Sequence, residues 1–472
     1  MSEPFEADFS PLPKTSPRAG FLRRLLYFLG RRSYAAMLQK HYRIEHINAD
    51  FLRTLRAPYV LLANHVSNED PFIYNIFCPY PIAWVIGKSI ERDSVFPLLL
   101  RILRCISRSK EMGDLDTIRK IRQWIDEGEV LGIFPEGQTS FSGVSHAIPE
   151  ATAKLLRFLK VPVVALRNEN GYFALPRWAW QRRISSKGSG PGLRLRYELL
   201  FDAEQIRTAK LGEIHDKVQR ALYHDPYQVA FVPTFTCLTP GFETPVPPAL
   251  VLDRGLRERN LAESMELLFY LCLDCQSPKS PGAMHSEGME LHCRACGAAW
   301  RISDDSHFLQ SGGLRYNLEE YYQAQLRLLH RMARSGELRL RQPFAKIRGY
   351  SAEDEALRLR RGGSIRLKGR SSDSLIDLGR GGLKLLQSGR TLHHFPLDRL
   401  FASHVFKQNT WEFHAYSDDS HSQSTLFVVE FPCKTDSAFL LLDGLKALQA
   451  GQNSPEDPDT DKPGTDKKER RE

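Results

Sequence analysis

Short apolar runs typical of buried strands alternate, in the first half of this chain, with stretches that carry apolar residues at helical spacing. The runs are 59–63, 130–133 and 161–166, and the helical stretches are 114–128 and 149–159. Strands that alternate with helices are typical of a layered α/β domain. We expect this domain to span residues 49–240.

The pattern changes near residue 345 to short strands separated by Gly-rich turns. The predicted strands are 364–367, 375–378, 383–386, 410–416 and 425–431. A helix over 436–450 follows the last of them. The sequence therefore predicts a small, mostly-β domain over 345–450 that is closed by a C-terminal helix.

Composition gives the remaining boundaries. Residues 1–18 are rich in Pro and Ser, and 451–472 have no large apolar side chain, so both ends are predicted to be disordered. A cluster of prolines makes 241–262 a linker. A predicted helix at 317–334 makes 306–344 a helical connector.

Residues 19–48 are predicted to form a basic amphipathic helix. Seven Lys or Arg and no acidic residue occur between Arg18 and Arg43, beside an apolar stripe. Such a helix can lie in a membrane interface, or it can pack on the following domain with its arginines in solvent. Both interpretations stay open, and they are compatible.

The formal net charge is +9, which favours anionic partners such as a lipid surface or a phosphorylated substrate. No apolar stretch is long enough to span a bilayer, and the first twenty residues do not resemble a signal peptide. We therefore expect a cytoplasmic protein, peripheral on the inner face of the membrane.

Two polar motifs directly follow predicted strands. Residues 64–70 read Asn-His-Val-Ser-Asn-Glu-Asp, and residues 134–140 read Phe-Pro-Glu-Gly-Gln-Thr-Ser. Chemistry in α/β proteins is commonly placed where strands end. A neutral His65 imidazole can take a proton from a hydroxyl, and Asp70 can orient it. The alternative is a structural His beside a helix-capping Asp.

The conjunction of four motifs resembles the glycerolipid acyltransferases, the family of glycerol-3-phosphate and 1-acylglycerol-3-phosphate acyltransferases. The similar segments are 64–70, 106–108, 134–137 and 161–164, in the family's order and within residues 40–240. The resemblance implies transfer of an acyl group from a thioester donor, on coenzyme A or acyl carrier protein, to a lysophospholipid or glycerophosphate. Within the family, the expected reaction is the conversion of 1-acylglycerol 3-phosphate to phosphatidate.

The resemblance also implies roles for individual residues. His65 would be the general base and Asp70 its orienting partner. The implied substrate-binding residues are Asn64 from the first motif, Arg108 as a phosphate contact, Glu136 and Gly137 at the acceptor site, and Lys88 as a further phosphate candidate. A solvated surface role is the alternative for Lys88.

The third motif departs from the family pattern. Gln138-Thr139-Ser140 stands where Thr-Arg-Ser is usual, so a charged phosphate contact is missing at Thr139. Arg167 is a candidate replacement. The departure leaves two alternatives open: another lysolipid acceptor, such as a lyso-aminolipid, or a non-catalytic lipid-binding regulatory protein.

Four of the eight cysteines form two Cys-x-x-Cys pairs separated by 17 residues: Cys272, Cys275, Cys293 and Cys296. This spacing is typical of a structural zinc site closed by four thiolates. We expect a zinc ribbon over 263–305, and redox chemistry is the alternative. The ribbon has only modest basic character, so nucleic acid is not the expected partner.

Residues 377–383 weakly resemble the signature of PilZ cyclic-di-GMP receptors. The order of strands and closing helix equally resembles a pleckstrin-homology-like module, and a plain β domain with a Gly-rich hairpin is the third option. The expected architecture is thus an α/β acyltransferase domain, a zinc ribbon with a helix, and a small mostly-β domain.

Overall fold

A computed structural model describes most of the chain. The described residues are 21–41, 44–93, 97–108, 115–174, 176–179, 193–229, 261–276, 282–303, 306–351, 365–368, 374–417, 423–431 and 437–453. The predicted disordered segment 1–18, the linker up to residue 260 and the tail from residue 454 lie outside them.

The first domain contains a mixed seven-stranded sheet. Its strands are β1 (Ile44–Ile47), β2 (Val60–Ala63), β3 (Ile82–Gly87), β4 (Ile106–Arg108), β5 (Val130–Ile133), β6 (Val163–Asn168) and β7 (Leu193–Phe201). Their order is β1-β7-β6-β2-β5-β3-β4. Strands β6, β2, β5, β3 and β4 run parallel, and β7 runs antiparallel to β6.

Helices cover both faces of this sheet. They are α1 (Phe21–His41), α2 (Asp70–Phe77), α3 (Lys88–Asp93), α4 (Pro97–Ile102), α5 (Leu115–Asp126), α6 (Ala151–Leu159), α7 (Gly171–Ala174), α8 (Gln205–Thr208), α9 (Leu211–Leu222) and α10 (Pro226–Val229). Successive residues of β2 enter different cores: Val60 and Leu62 pack on one face, Leu61 and Ala63 on the other. Burial on both faces explains why the strand is a continuous apolar run.

The N-terminal helix is shorter than the predicted 19–48. Helix α1 ends at His41, and Ile44–Ile47 pair in parallel with β7. This strand lies at the edge of the sheet, where Glu45 is exposed and the other three residues are half-buried. Among the described residues, no helix is both long and apolar enough to cross a bilayer.

A five-stranded antiparallel sheet follows. Its strands are β8 (Met284–Glu287), β9 (Glu290–Cys293), β10 (Ala299–Ile302), β11 (Phe308–Ser311) and β12 (Leu314–Asn317), paired in chain order. The sequence predicts a helical connector over 306–344, but its first part forms the last two of these strands. They continue the sheet because the two glycines at 312–313, both with positive φ, form a tight hairpin between them.

Helix α11 (Leu318–Ser335) leads from this sheet to the last domain. The Asn317 side chain accepts a hydrogen bond from the Glu320 backbone, and the Glu320 side chain accepts one from Asn317. This capping box fixes where the helix begins. Gly336, in the left-handed region at φ 79°, ends it.

The C-terminal region contains two antiparallel sheets and a helix. The strands are β13 (Arg339–Pro343), β14 (Lys346–Tyr350), β15 (Ile365–Lys368), β16 (Ser374–Gly379), β17 (Gly382–Gln387), β18 (Arg390–Phe395), β19 (Leu400–Phe406), β20 (Thr410–Tyr416) and β21 (Ser424–Glu430). One sheet has the order β13-β16-β17-β18, and the other β15-β14-β21-β20-β19. Helix α12 (Ala438–Asn453) packs against them.

The later regions are packed directly onto the first domain. Phe141 makes edge-to-face contacts with Tyr322 of α11 and Phe439 of α12, at centroid distances of 5.7 and 5.3 Å. Arg92 and Ser89 of α3 bond the buried Glu412 of β20. The loop that contains the third motif is therefore part of an interface between domains.

Candidate active site

The two polar motifs meet at one edge of the parallel sheet. Strand β2 ends at Ala63 and its neighbour β5 ends at Ile133, with Val60 opposite Leu131. Because the strands are parallel, the loops that follow them leave from the same edge. Residues 64–70 and 134–140 are thereby brought together.

His65 and Asp70 form a hydrogen-bonded pair. Asp70 Oδ2 lies 3.1 Å from His65 Nδ1, and it also accepts the backbone N–H groups of Val66 and Ser67 at 2.8 and 2.9 Å. Asp70 is the first residue of α2 and is fully buried. The main chain therefore holds the carboxylate in place. The carboxylate in turn favours the imidazole tautomer that carries its hydrogen on Nδ1.

The plane of the His65 ring is set by an aromatic stack. The imidazole stacks on Phe134 at a centroid distance of 4.1 Å, and Phe134 stacks on Trp84 at 4.5 Å. Gly132 permits this arrangement, since a Cβ there would collide with the Trp84 ring at 2.6 Å. No local sequence pattern indicates this support, because Trp84 comes from a different strand.

A hydroxyl group faces the second nitrogen of the imidazole. Thr139 Oγ1 lies 3.1 Å from His65 Nε2 and 3.4 Å from Asn68 Oδ1. Thr139 occupies the position where the resembled family has Arg. The sequence indicates the lost charge at this position, but the contact with His65 is visible only in the structure.

Asn64 is predicted to bind substrate, but both the oxygen and the nitrogen of its side-chain amide form hydrogen bonds within the protein. Its Nδ2 donates to the Asn168 carbonyl at 3.1 Å, and its Oδ1 accepts from the Asn168 backbone N–H at 2.8 Å. The residue is fully buried. Asn64 thus connects the ends of β2 and β6 behind the His65–Asp70 pair.

Glu136 holds the two motif loops together. Its carboxylate accepts the His65 backbone N–H at 3.0 Å and the His146 backbone N–H at 2.7 Å. Burial raises the pKa of Glu136 to about 7. Gly137 follows at φ 75°, a conformation that favours glycine, and a Cβ added there would meet no atom within 4 Å.

Arg108 and Lys88 lie at the same edge of the sheet as His65. Arg108 is the last residue of β4, and Lys88 follows the end of β3, where Gly87 pairs with Arg108. Both side chains are exposed. Their position is consistent with contacts to an anionic substrate at this edge.

Two further arginines differ in whether their charge is neutralised. Arg167 bonds the Glu169 carboxylate at 3.1 Å and the Ala221 carbonyl at 3.2 Å, so its charge is compensated locally. Arg177, which the sequence analysis missed, is buried and donates to Asn68 Oδ1 at 3.1 Å. Nothing in the local sequence around Arg177 indicates this contact.

The four paired cysteines converge on one point. Their sulfur atoms all lie within 4.8 Å of one another, and Cys272 Sγ is 3.7 Å from Cys296 Sγ. A tetrahedron with Zn–S bonds of about 2.3 Å has S···S edges of about 3.8 Å. The donor set and its geometry therefore fit a zinc ion.

A comparison with family models matches residues 41–167 to the Acyltransferase family. The chain carries an acyltransferase domain. The match contains His65, Asp70, Glu136 and Thr139, so the site described above lies inside the acyltransferase domain. The protein is an enzyme of the acyltransferase class.

A solved structure is similar to part of the chain: the 1-acyl-sn-glycerophosphate (LPA) acyltransferase PlsC from Thermotoga maritima. The identity is 15%, the TM-score is 0.36, and the similarity covers 43% of this chain and 78% of that protein. None of the curated proteins compared with the chain matches it.

Proposed function

We propose that the protein is an O-acyltransferase that moves a fatty acyl group from an acyl thioester to the hydroxyl of a lysophospholipid. The acceptor is 1-acylglycerol 3-phosphate and the product phosphatidate. The observation that carries this proposal is the buried Asp70 on Nδ1 of His65, with a hydroxyl oxygen 3.1 Å from its Nε2. The contact with Thr139 supports the idea that an alcohol fits against this nitrogen.

In this reaction His65 is the general base and Asp70 orients it. His65 Nε2 takes the proton of the acceptor hydroxyl while the oxygen forms a bond to the thioester carbonyl carbon. Asp70 stabilises the imidazolium that results. The carbon–sulfur bond then breaks, and His65 returns the proton to the departing thiolate. The donor is carried on coenzyme A or acyl carrier protein.

The neutral Thr139 favours a second candidate acceptor, a lysolipid without a phosphate monoester, such as a lyso-aminolipid. A non-catalytic lipid-binding role is disfavoured by the intact His65–Asp70 pair. These alternatives differ in which acceptor consumes the thioester.

The test incubates purified protein with acyl-CoA or acyl carrier protein thioesters and a panel of acceptors. The panel holds 1-acylglycerol 3-phosphate, glycerol 3-phosphate and a lyso-aminolipid, and mass spectrometry identifies the product. We expect phosphatidate from the wild type and about 10³-fold less from His65→Ala. The proposal would be refuted if the protein consumed thioester with none of these acceptors, or if His65→Ala kept full activity.

Cys272, Cys275, Cys293 and Cys296 hold one structural Zn²⁺ in this proposal. Four thiolates fill a tetrahedral site and leave no open position for catalysis. The convergence of the four sulfur atoms supports it. Elemental analysis should find one zinc per chain, and less in Cys293→Ser; an equal metal content in both would contradict the assignment.

The proposal also includes peripheral attachment to the cytoplasmic face of a membrane through α1. One side of this helix is buried through Tyr27, Ala35 and Leu38, whereas Leu25 and Leu29 on the other side are 39% and 51% exposed. Exposed leucines on a basic helix can enter a lipid interface. Co-sedimentation with anionic liposomes should decrease in Leu25→Gln/Leu29→Gln, and unchanged binding would exclude this mode.

A further inference from the structure

Arg177 is a buried cation to which the described residues offer no acidic partner. Its guanidinium donates to Asn68 Oδ1 and to the Val405 carbonyl, both at 3.1 Å. Its Nε is buried and has no hydrogen-bond partner among the described residues. Within the same described part of the chain, no carboxylate pairs with it.

A buried cation without a counter-ion destabilises the folded protein. Removing a guanidinium from water is unfavourable unless an anion compensates its charge. Burial lowers the pKa of Arg177 to about 10, which reflects this cost. The Phe439 ring, 5.6 Å from the guanidinium carbon, offers only partial compensation. Strongly perturbed groups of this kind are common at binding sites.

A second unpartnered nitrogen lies in the same positive environment. His146 Nε2 is buried and has no hydrogen-bond partner among the residues described. Burial lowers the pKa of His146, and the charges of Lys446 and Arg177 lower it further. The N–H groups of Arg177 suit the oxygens of an anion, whereas Nε2 of the neutral His146 ring, whose other nitrogen donates to the Thr139 backbone, can accept the P–OH hydrogen of a phosphate monoester.

This region is connected to the catalytic pair by a short path. Arg177 bonds Asn68 Oδ1, Thr139 Oγ1 contacts the same oxygen at 3.4 Å, and Thr139 Oγ1 is 3.1 Å from His65 Nε2. The His146 ring bonds the backbone of Thr139. An anion bound at Arg177 would therefore lie close to the acceptor hydroxyl that His65 is proposed to deprotonate.

We infer that Arg177 and His146 form the site for the phosphate monoester of the acceptor, with Arg177 supplying the charge that the third motif lacks at Thr139. This inference rests on the proposed function and names two residues outside the resembled motifs. A phosphate at Arg177 would use donors that are already desolvated, so binding would not require the cation to lose further water. The alternative is a structural clamp, in which Arg177 only connects the Asn68 loop to Val405.

The kinetic test compares Arg177→Gln with wild type on 1-acylglycerol 3-phosphate and on 1-acylglycerol, which has no phosphate. We expect KM for the phosphate-bearing acceptor to rise about thirtyfold, as for loss of a charge-assisted contact. The KM for the thioester and the activity on 1-acylglycerol should stay unchanged. A structural clamp would instead impair both acceptors equally, and that result would overturn the inference.

Arg167→Gln is the matched control, because Arg167 already has Glu169 as its counter-ion. It should leave the preference for the phosphate-bearing acceptor intact. Arg177→Lys keeps the charge without the planar group and should give an intermediate KM. If Arg167→Gln abolishes the preference while Arg177→Gln does not, the inference is wrong.

Direct binding separates this inference from the proposed function. Calorimetric titration with glycerol 3-phosphate should show binding to wild type and His65→Ala, and loss of binding in Arg177→Gln and His146→Gln. The proposed function fails if wild type transfers acyl groups to no acceptor. The inference fails if wild type binds no glycerol 3-phosphate, or if Arg177→Gln binds it equally well.

Discussion

The His65–Asp70 pair and the cysteine cluster are both groups of polar side chains, but different forces hold them together. Asp70 accepts two backbone N–H groups of its own loop as well as the imidazole. The four cysteine sulfurs converge on a point within 4.8 Å of one another, where thiolates would repel without a cation. The main chain therefore organises the first group, whereas the proposed zinc ion would organise the second.

This difference has a consequence for how the domains depend on each other. Tyr321 of α11 donates to the Leu271 carbonyl, next to Cys272, and its neighbour Tyr322 contacts Phe141. Phe141 directly follows the third motif. The cysteine region can thus affect the active site through the packing of this loop.

The largest effect is expected from Asp70→Asn, which replaces the carboxylate that the main chain holds beside His65. Turnover should fall at least about 100-fold, because an amide can hold the imidazole in the wrong tautomer. Acceptor KM should change little. The measurement is steady-state kinetics of acyl transfer, with zinc content as the control; a large loss of zinc would show that the two groups are not independent.

Cys293→Ser is the corresponding change in the cysteine cluster. Loss of one ligand should weaken metal binding and increase hydrogen exchange in β8, β9 and β10, with turnover reduced about tenfold or less through the Phe141 loop. Hydrogen exchange in β2 and β5 should stay at the wild-type level. Equal exchange in all five strands of the variant would contradict the separation of the two regions.

Phe141→Ala tests the packing link itself. Phe141 is 6% exposed, and truncating a buried ring costs about 3 kcal/mol. We expect a roughly threefold loss of turnover, since the loop containing Thr139 is loosened while His65 and Asp70 keep their contacts. Tyr322→Phe keeps the aromatic contact and serves as the control. Wild-type turnover in Phe141→Ala would show that this contact does not position the loop.

The smallest effect on turnover, but a clear one on stability, is expected from Glu136→Gln. Burial raises the folded-state pKa of Glu136 from 4.5 to about 7. Its contribution to stability is therefore full below pH 4.5 and is lost as the pH rises through 7, a change of about 3 kcal/mol. Urea unfolding of wild type and variant at pH 5 and pH 8 measures the difference, and identical pH dependence would contradict it.

Much of the first domain was predictable because its signals are local. The apolar runs at 130–133 and 59–63 correspond to β5 and β2, and His65 and Asp70 are only five residues apart on one strand–loop–helix unit. The paired cysteines were predictable for the same reason, since each Cys-x-x-Cys turn brings two ligands together by itself. The strands at 308–311 and 314–317 were missed, because they are short and only their pairing stabilises them.

The sequence by itself determined the His65–Asp70 pair, the cysteine cluster and the class of enzyme, because in each case the chemistry is contained in short motifs. Only the tertiary structure decided what surrounds His65. Thr139, Asn168 and Arg177 reach their partners across 74, 104 and 109 residues of chain. Contacts of that range depend on how strands are ordered in the sheet and how domains pack, and no local pattern of residues specifies them.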